Sequence, residues 1–222
     1  MPRIHFHQQL QELKDKLLAM AALSQQAAEY AVDAYLERDA KLCTFVRENE
    51  AAINMAQRDV DEMAYELLAK EQPMAIDLRF ILAVIKINAD LERIGDQSIS
   101  IVRRAEDMLI IPPADLPVDI SAMGLHATDM IRRAVQALIE ADALLAESVR
   151  EMDDDIDHMN RTAHKDLIRV MQESPDTSLQ ALNAVITARN LERIADHATN
   201  IAEDVIFWVR GADVRHQLAV AE

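Results

Sequence analysis

The chain has 222 residues and is strongly acidic, with 39 aspartates and glutamates against 23 lysines and arginines and a formal net charge of −16. Such a charge repels nucleic-acid phosphates and anionic lipid headgroups, which argues against nucleic-acid binding and direct membrane binding. The best apolar run is short of the ~20 residues that a membrane span needs, and the N-terminus lacks the apolar core of a signal peptide. A single cysteine excludes an internal disulfide. These features predict a soluble, cytoplasmic protein.

The sequence pattern predicts a series of long amphipathic helices. Only three glycines occur, and apolar residues recur at spacings of three and four almost throughout, which excludes a sheet-rich fold. Pro73 and Pro175 each separate two helical patterns and suit the first turn of a new helix. Three further prolines mark a linker at 109–119. The predicted helices cover residues 5–37, 40–70, 74–108, 119–140, 143–173 and 176–210.

The two halves of the chain match each other in order. The sequence LERIGD at 91–96 returns as LERIAD at 191–196, and YLERDAKL at 35–42 parallels LIEADALL at 138–145. An internal duplication explains these matches. Because short connections make neighbouring helices antiparallel, the predicted fold is all-α, with two tandem three-helix bundles in domains 1–110 and 119–222.

Acidic side chains recur four residues apart, next to the apolar residues that form one face of each predicted helix. Each repeated LERI motif carries such a pair, and the preceding helix of each half carries another. The pairs are Glu50 with Asn54, Glu92 with Asp96, Asp153 with Asp157, and Glu192 with Asp196.

The positions of these pairs predict that they face each other. Asn54 and Glu92 are equidistant from Pro73, and Asp157 and Glu192 are equidistant from Pro175 to within one residue. Residues equidistant from the turn of an antiparallel helix pair lie at the same height. Gathered carboxylates repel unless a cation lies among them, and oxygen ligands suit Mg, Mn or Fe.

A structural interpretation of the same residues stays open. Acidic pairs on long helices are commonly a solvated face, and Arg93 and Arg193 can be ion-pair partners of acids three residues away. Histidines near the second cluster can be ordinary surface residues.

The two LERI segments, together with QPMAIDLRF at 72–80, resemble the PhoU family over essentially the whole chain. The resemblance implies a six-helix fold of two bundles and a repeated acidic motif that binds a multinuclear metal cluster, with iron foremost and zinc, manganese, nickel or magnesium as alternatives. Carried over to this chain, the metal-binding residues are Glu50, Glu92, Asp96, Asp153, Asp157, Glu192 and Asp196. Asn54 stands where the motif has an aspartate, so metal binding is expected to be weaker in the first half.

The resemblance also implies a biological role. Proteins of this family lower phosphate uptake and signalling through the ATPase subunit of the phosphate ABC importer and the phosphate sensor histidine kinase. This chain is accordingly expected to be a non-enzymatic negative regulator, peripheral at the inner membrane through its partners and homodimeric. Two rivals stay open, a carboxylate-bridged metalloenzyme and a metal-free helical scaffold. The enzyme is disfavoured because such bundles use Glu-x-x-His ligand pairs, which the sequence lacks.

Overall fold

The computed structural model describes residues 2–215, and this part of the chain forms six α-helices and contains no strand. The all-α prediction is confirmed, and the predicted helix ends are within a few residues of the observed ones. The helices are α1 (Pro2–Glu37), α2 (Ala40–Glu71), α3 (Ile76–Met108), α4 (Ile120–Glu140), α5 (Ala143–Glu173) and α6 (Ser178–Arg210).

The first turn of each half is built in the same way. Arg38 and Ala141 adopt the left-handed conformation, with φ of 56° and 52°, and an aspartate follows each of them. The carboxylates of Asp39 and Asp142 accept hydrogen bonds from backbone N–H groups in the first turns of α2 and α5. These caps satisfy donors that a helix start otherwise leaves unpaired. The repeated turn matches the predicted duplication.

The second turns of the two halves differ. Pro175 begins a short 3-10 turn, Pro175–Thr177, that leads into α6, as predicted for a proline in a first turn. Pro73 instead lies between α2 and α3, so the prediction that it begins the helix at 74 is wrong. A residue before proline avoids the α-helical region, and Gln72 takes the left-handed conformation, with φ of 48°. The connection therefore needs two more residues before α3 begins.

The two LERI helices, α3 and α6, lie at the centre of the molecule. Helices α1, α2 and α3 all contact one another, as do α4, α5 and α6, which gives the predicted pair of three-helix bundles. The bundles also contact each other through α3 with α6 and α1 with α4. Apolar side chains of both central helices are fully buried, among them Ile87, Leu91, Leu191 and Ile194.

The contact between α1 and α4 depends on a glycine. A Cβ added to Gly124 would lie 2.5 Å from Cγ1 of Val32, closer than two carbons can approach. Valine is branched at Cβ and has little rotamer freedom in a helix, so it cannot easily move away. Gly124 therefore allows the two helices to approach across the boundary between the bundles.

The linker is fastened to both bundles. The guanidinium of Arg38 donates hydrogen bonds to the carbonyls of Met108 and Ile111, and the side-chain amide of Gln180 donates to the carbonyl of Pro112 at 3.1 Å. These hydrogen bonds hold the linker, which connects α3 to α4, against the end of α1 and the start of α6. Among the described residues, no helix is long and apolar enough to cross a membrane.

Candidate metal centre

Three carboxylates of the second half converge between α5 and α6. Asp157 on α5 and both Glu192 and Asp196 on α6 each present an oxygen atom, and these oxygens all lie within 4.8 Å of one another. The predicted juxtaposition of Glu192 with Asp157 is confirmed. The four-residue spacing of Glu192 and Asp196 places both side chains on the face of α6 that meets α5. We call Asp157, Glu192 and Asp196 the acidic triad.

Asp153 lies one helical turn before Asp157 and borders the triad. The hydroxyl of Thr199 donates a hydrogen bond to its carboxylate at 3.2 Å, which holds the side chain against α6. Its charge acts on both Glu192 and Asp196. The structure therefore brings together all four acids that the sequence assigns to this site, three in mutual reach of one ion and the fourth beside them.

Burial and mutual repulsion disfavour the ionised forms of Glu192, Asp196 and Asp153. Removal from water is the largest cause of the raised pKa values of Glu192, Asp196 and Asp153. For Glu192 the next cause is the charge of Asp196, and for Asp196 it is the charge of Asp153. A cation among the carboxylates would remove this repulsion.

The donor set fits a hard or intermediate cation. Oε2 of Glu192 is buried and has no hydrogen-bond partner among the described residues, so it is an anionic oxygen that the protein itself leaves unsatisfied. Carboxylate oxygens are the ligands that Mg, Mn and related ions prefer. The residues that would hold such an ion are Asp157, Glu192 and Asp196, with Asp153 at the margin.

The corresponding acids of the first half are arranged more loosely. Within residues 2–215, Glu50, Glu92 and Asp96 do not form a second group like the triad. They are still neighbours, because the charges of Asp96 and Glu50 add to burial in raising the pKa of Glu92. Asn54 is half-buried at the position that Asp157 occupies in the second half. The first half thus has fewer carboxylates at this position, and their oxygen atoms lie farther apart than those of the triad.

An unpredicted link joins the two halves near the acids. Nδ1 of His197 on α6 lies 2.8 Å from a carboxylate oxygen of Asp90 on α3, and the Asn200 amide donates to the same oxygen at 3.2 Å. The Asp90 and His197 side chains are 16% and 13% exposed. Interpreting His197 as an ordinary surface residue is therefore wrong. The sequence shows no sign of this contact, because it depends on how α3 packs against α6.

Arginines next to the triad were also missed. Nη1 of Arg161 lies 3.0 Å from Oδ2 of Asp157, one turn further along α5, and the charge of Arg189 acts on Glu192. The i,i+4 spacing of Asp157 and Arg161 could have revealed the first of these. Arg93 and Arg193 make no direct ion pair among the described residues, but their charges act on Glu92 and Asp196, which agrees with the interpretation that they lie near these acids.

Comparison with known proteins identifies the family. A model described as the PhoU domain matches residues 17–105 and 120–205. The chain belongs to the PhoU family. Over 214 residues it is 40% identical to the phosphate-specific transport system accessory protein PhoU homolog of Pseudomonas putida, a match that covers 95% of this chain and 83% of that protein.

Solved PhoU structures share the fold. The crystal structure of PhoU from Pseudomonas aeruginosa superimposes with a TM-score of 0.90 and 38% identity, covering 93% of this chain and 100% of that one. The phosphate transport system regulatory protein PhoU from Streptococcus pneumoniae gives a TM-score of 0.85 and 26% identity, covering 94% and 99% of the two chains. The six-helix arrangement is thus that of the PhoU family.

Proposed function

We propose that this PhoU-family protein is a negative regulator of phosphate uptake and phosphate-starvation signalling. The observation that carries the proposal is the match over 95% of the chain to a relative named as a phosphate-specific transport system accessory protein. The likeness to a protein described as a phosphate transport system regulatory protein supports it further. The proposed role is non-enzymatic, since accessory and regulatory proteins act through their partners.

The proposed partners are the ATPase subunit of the phosphate ABC importer and the phosphate sensor histidine kinase. Contact with them would place the protein peripherally at the inner face of the membrane. The formal charge of −16 favours a basic patch on a protein partner over a lipid surface. We further propose that the protein is a homodimer, which light scattering on a size-exclusion column would test.

We also propose that the acidic residues bind metal ions, iron foremost, with zinc, manganese, nickel or magnesium as alternatives. In the second half the ligands are Asp153, Asp157, Glu192 and Asp196. Two observations support this assignment: Oε2 of Glu192 is buried without a hydrogen-bond partner among the described residues, and the triad oxygens lie within 4.8 Å of one another. The weaker first site uses Glu50, Glu92 and Asp96.

A deletion strain tests the regulatory role. Without the gene, and in a strain that carries no other PhoU-family gene, a phosphate-starvation reporter should remain active in phosphate-rich medium. Plasmid-borne wild-type protein should switch the reporter off again, whereas an empty plasmid should not. A reporter that is silenced normally in the deletion strain would contradict the proposal.

Capture of the partners provides the second test. The tagged protein should co-purify with the importer ATPase or with the sensor kinase from phosphate-replete cells. Because the proposed contact is electrostatic, the yield should fall as the salt concentration of the wash rises. Recovery of neither partner at low salt would rule out the proposed contacts.

A further inference from the structure

A cavity with two arginines in its lining lies beside the acidic triad. A concave cavity of about 360 Å³ opens between α5 and α6 and is lined by Asn160, Arg161, His164, Val185 and Arg189. Its volume is at the low end of the range found for small-ligand pockets. Two of the five lining residues are arginines, a third is histidine and none is acidic, although the chain as a whole has a net charge of −16. The cavity is therefore a local concentration of positive charge on an acidic protein.

The arginines of this cavity are incompletely engaged. Arg189 is exposed and makes no hydrogen bond or ion pair within the described part of the chain. Arg161 donates one hydrogen bond, from Nη1 to Oδ2 of Asp157 at 3.0 Å. Because a guanidinium has five N–H donors, four remain available. Both side chains thus retain donors that can be turned to an anion in the cavity.

The first half shows that the duplicated fold does not require this charge. At the positions that match Arg161, His164 and Arg189, the first half has Arg58, Asp61 and Ala89. Asp61 accepts a hydrogen bond from Asn88 at 2.9 Å, so an acid occupies the place of the histidine. Only the half that contains the acidic triad combines the two arginines with a histidine.

We propose that this cavity binds inorganic phosphate. Guanidinium groups present paired N–H donors that match the oxygens of a phosphate ion, and phosphate is mostly dianionic or monoanionic near neutral pH. The His164 ring adds a further donor. The Asn160 side chain has both an N–H donor and a carbonyl acceptor, so it can accept a hydrogen bond from the protonated oxygen of phosphate, which sulfate lacks.

The inference rests on the proposed metal site in one respect. The empty triad would repel an anion in the adjoining cavity, whereas a cation bound to the triad would cancel that repulsion. Phosphate should therefore bind more tightly to the metal-loaded protein than to chelator-treated protein. Metal binding to the triad and phosphate binding to the cavity would therefore each strengthen the other.

Isothermal titration calorimetry with sodium phosphate at fixed ionic strength tests the proposal on protein incubated with metal and on chelator-treated protein. The variant Arg189→Ala places in the cavity the residue that the first half already carries there, so it should leave the fold intact. The matched control is Arg93→Ala, which removes an exposed arginine from the equivalent helix of the first half. Sulfate serves as the control anion, and the metal content of each sample is measured by elemental analysis.

Wild type should show saturable phosphate binding and weaker sulfate binding. Losing a charge-assisted hydrogen bond should make Arg189→Ala bind phosphate about ten- to a hundredfold more weakly, while Arg93→Ala should match wild type. Absence of saturable phosphate binding in metal-loaded protein, or equal losses in the two variants, would overturn the inference. Protein that binds phosphate as expected but never acquires metal would instead overturn the proposed metal site.

Discussion

Repulsion within the acidic triad makes a quantitative prediction for Asp196→Asn. The triad oxygens lie within 4.8 Å of one another, and at that distance two unit charges repel by about 0.9 kcal/mol in water and about 3.5 kcal/mol at an effective dielectric constant of 20. Although burial raises the pKa of Asp196, the residue remains partly in contact with solvent, so the lower figure applies. The oxygens of the other two triad carboxylates lie within this distance of Asp196, and Asp153 lies beside them, so neutralising Asp196 should stabilise the metal-free protein by about 1–2 kcal/mol.

Thermal unfolding followed by circular dichroism measures this effect. In chelator, Asp196→Asn should melt about 2–8 °C above wild type, since 1 kcal/mol shifts the midpoint of a chain of this size by about 2–4 °C. With added metal the order should reverse, because the variant has lost a ligand and gains less from binding.

The matched variant Asp96→Asn supplies the control for this experiment. Its carboxylate is not part of a comparable group within the described residues, so it should raise the melting temperature less. If Asp196→Asn were no more stable than wild type in chelator, or if both variants gave the same shift, the assigned repulsion would be absent.

Three further predictions follow from the charges and the packing. Folding raises the pKa values of Asp153 and Asp196, so their contribution to stability is full below about pH 4 and is lost as the pH rises through the folded-state values. Urea unfolding of metal-free protein should therefore show the advantage of Asp196→Asn shrinking between pH 7 and pH 4, and a constant advantage would contradict this. Gly124→Ala should lower the free energy of unfolding by about 1–3 kcal/mol because its Cβ would lie 2.5 Å from the stiff Val32 side chain, whereas a Cβ at Gly95 would lie 3.1 Å from Cδ1 of Ile53, a milder overlap, so Gly95→Ala should cost less. Equal effects of the two substitutions in urea unfolding would refute the packing argument. Asn54→Asp should raise the metal content of the first half in elemental analysis, because it restores the missing charge, and an unchanged content would count against Asn54 as the cause of the asymmetry.

Helix content and the approach of facing acids could be predicted from local pattern. The three- and four-residue periodicity determines the helices, and the counts on either side of Pro175 place Asp157 level with Glu192. This reasoning works because a short connection fixes the register of two antiparallel helices. It was less accurate at Pro73, where the turn contains left-handed residues that the pattern of apolar residues does not reveal.

Contacts between the two halves could not be predicted in this way. The repeat predicts the internal structure of each bundle but carries no information about how α3 packs on α6. The Asp90–His197 pair depends on that packing. The cavity around Arg189 was missed for a related reason, since its lining residues come from two helices and form no motif in the sequence.

Metal content tests the central claim about the site most directly. Wild type, Asp196→Asn and Asp96→Asn should be purified without chelators or metal-affinity columns and analysed for iron, zinc, manganese, nickel and magnesium. The second half offers four acids and an unpartnered buried oxygen of Glu192, while the first offers three acids in a looser arrangement. Wild type should contain metal, and Asp196→Asn should lose more of it than Asp96→Asn. Metal-free wild type, or equal losses from the two variants, would contradict the assignment of the principal metal site to Asp153, Asp157, Glu192 and Asp196.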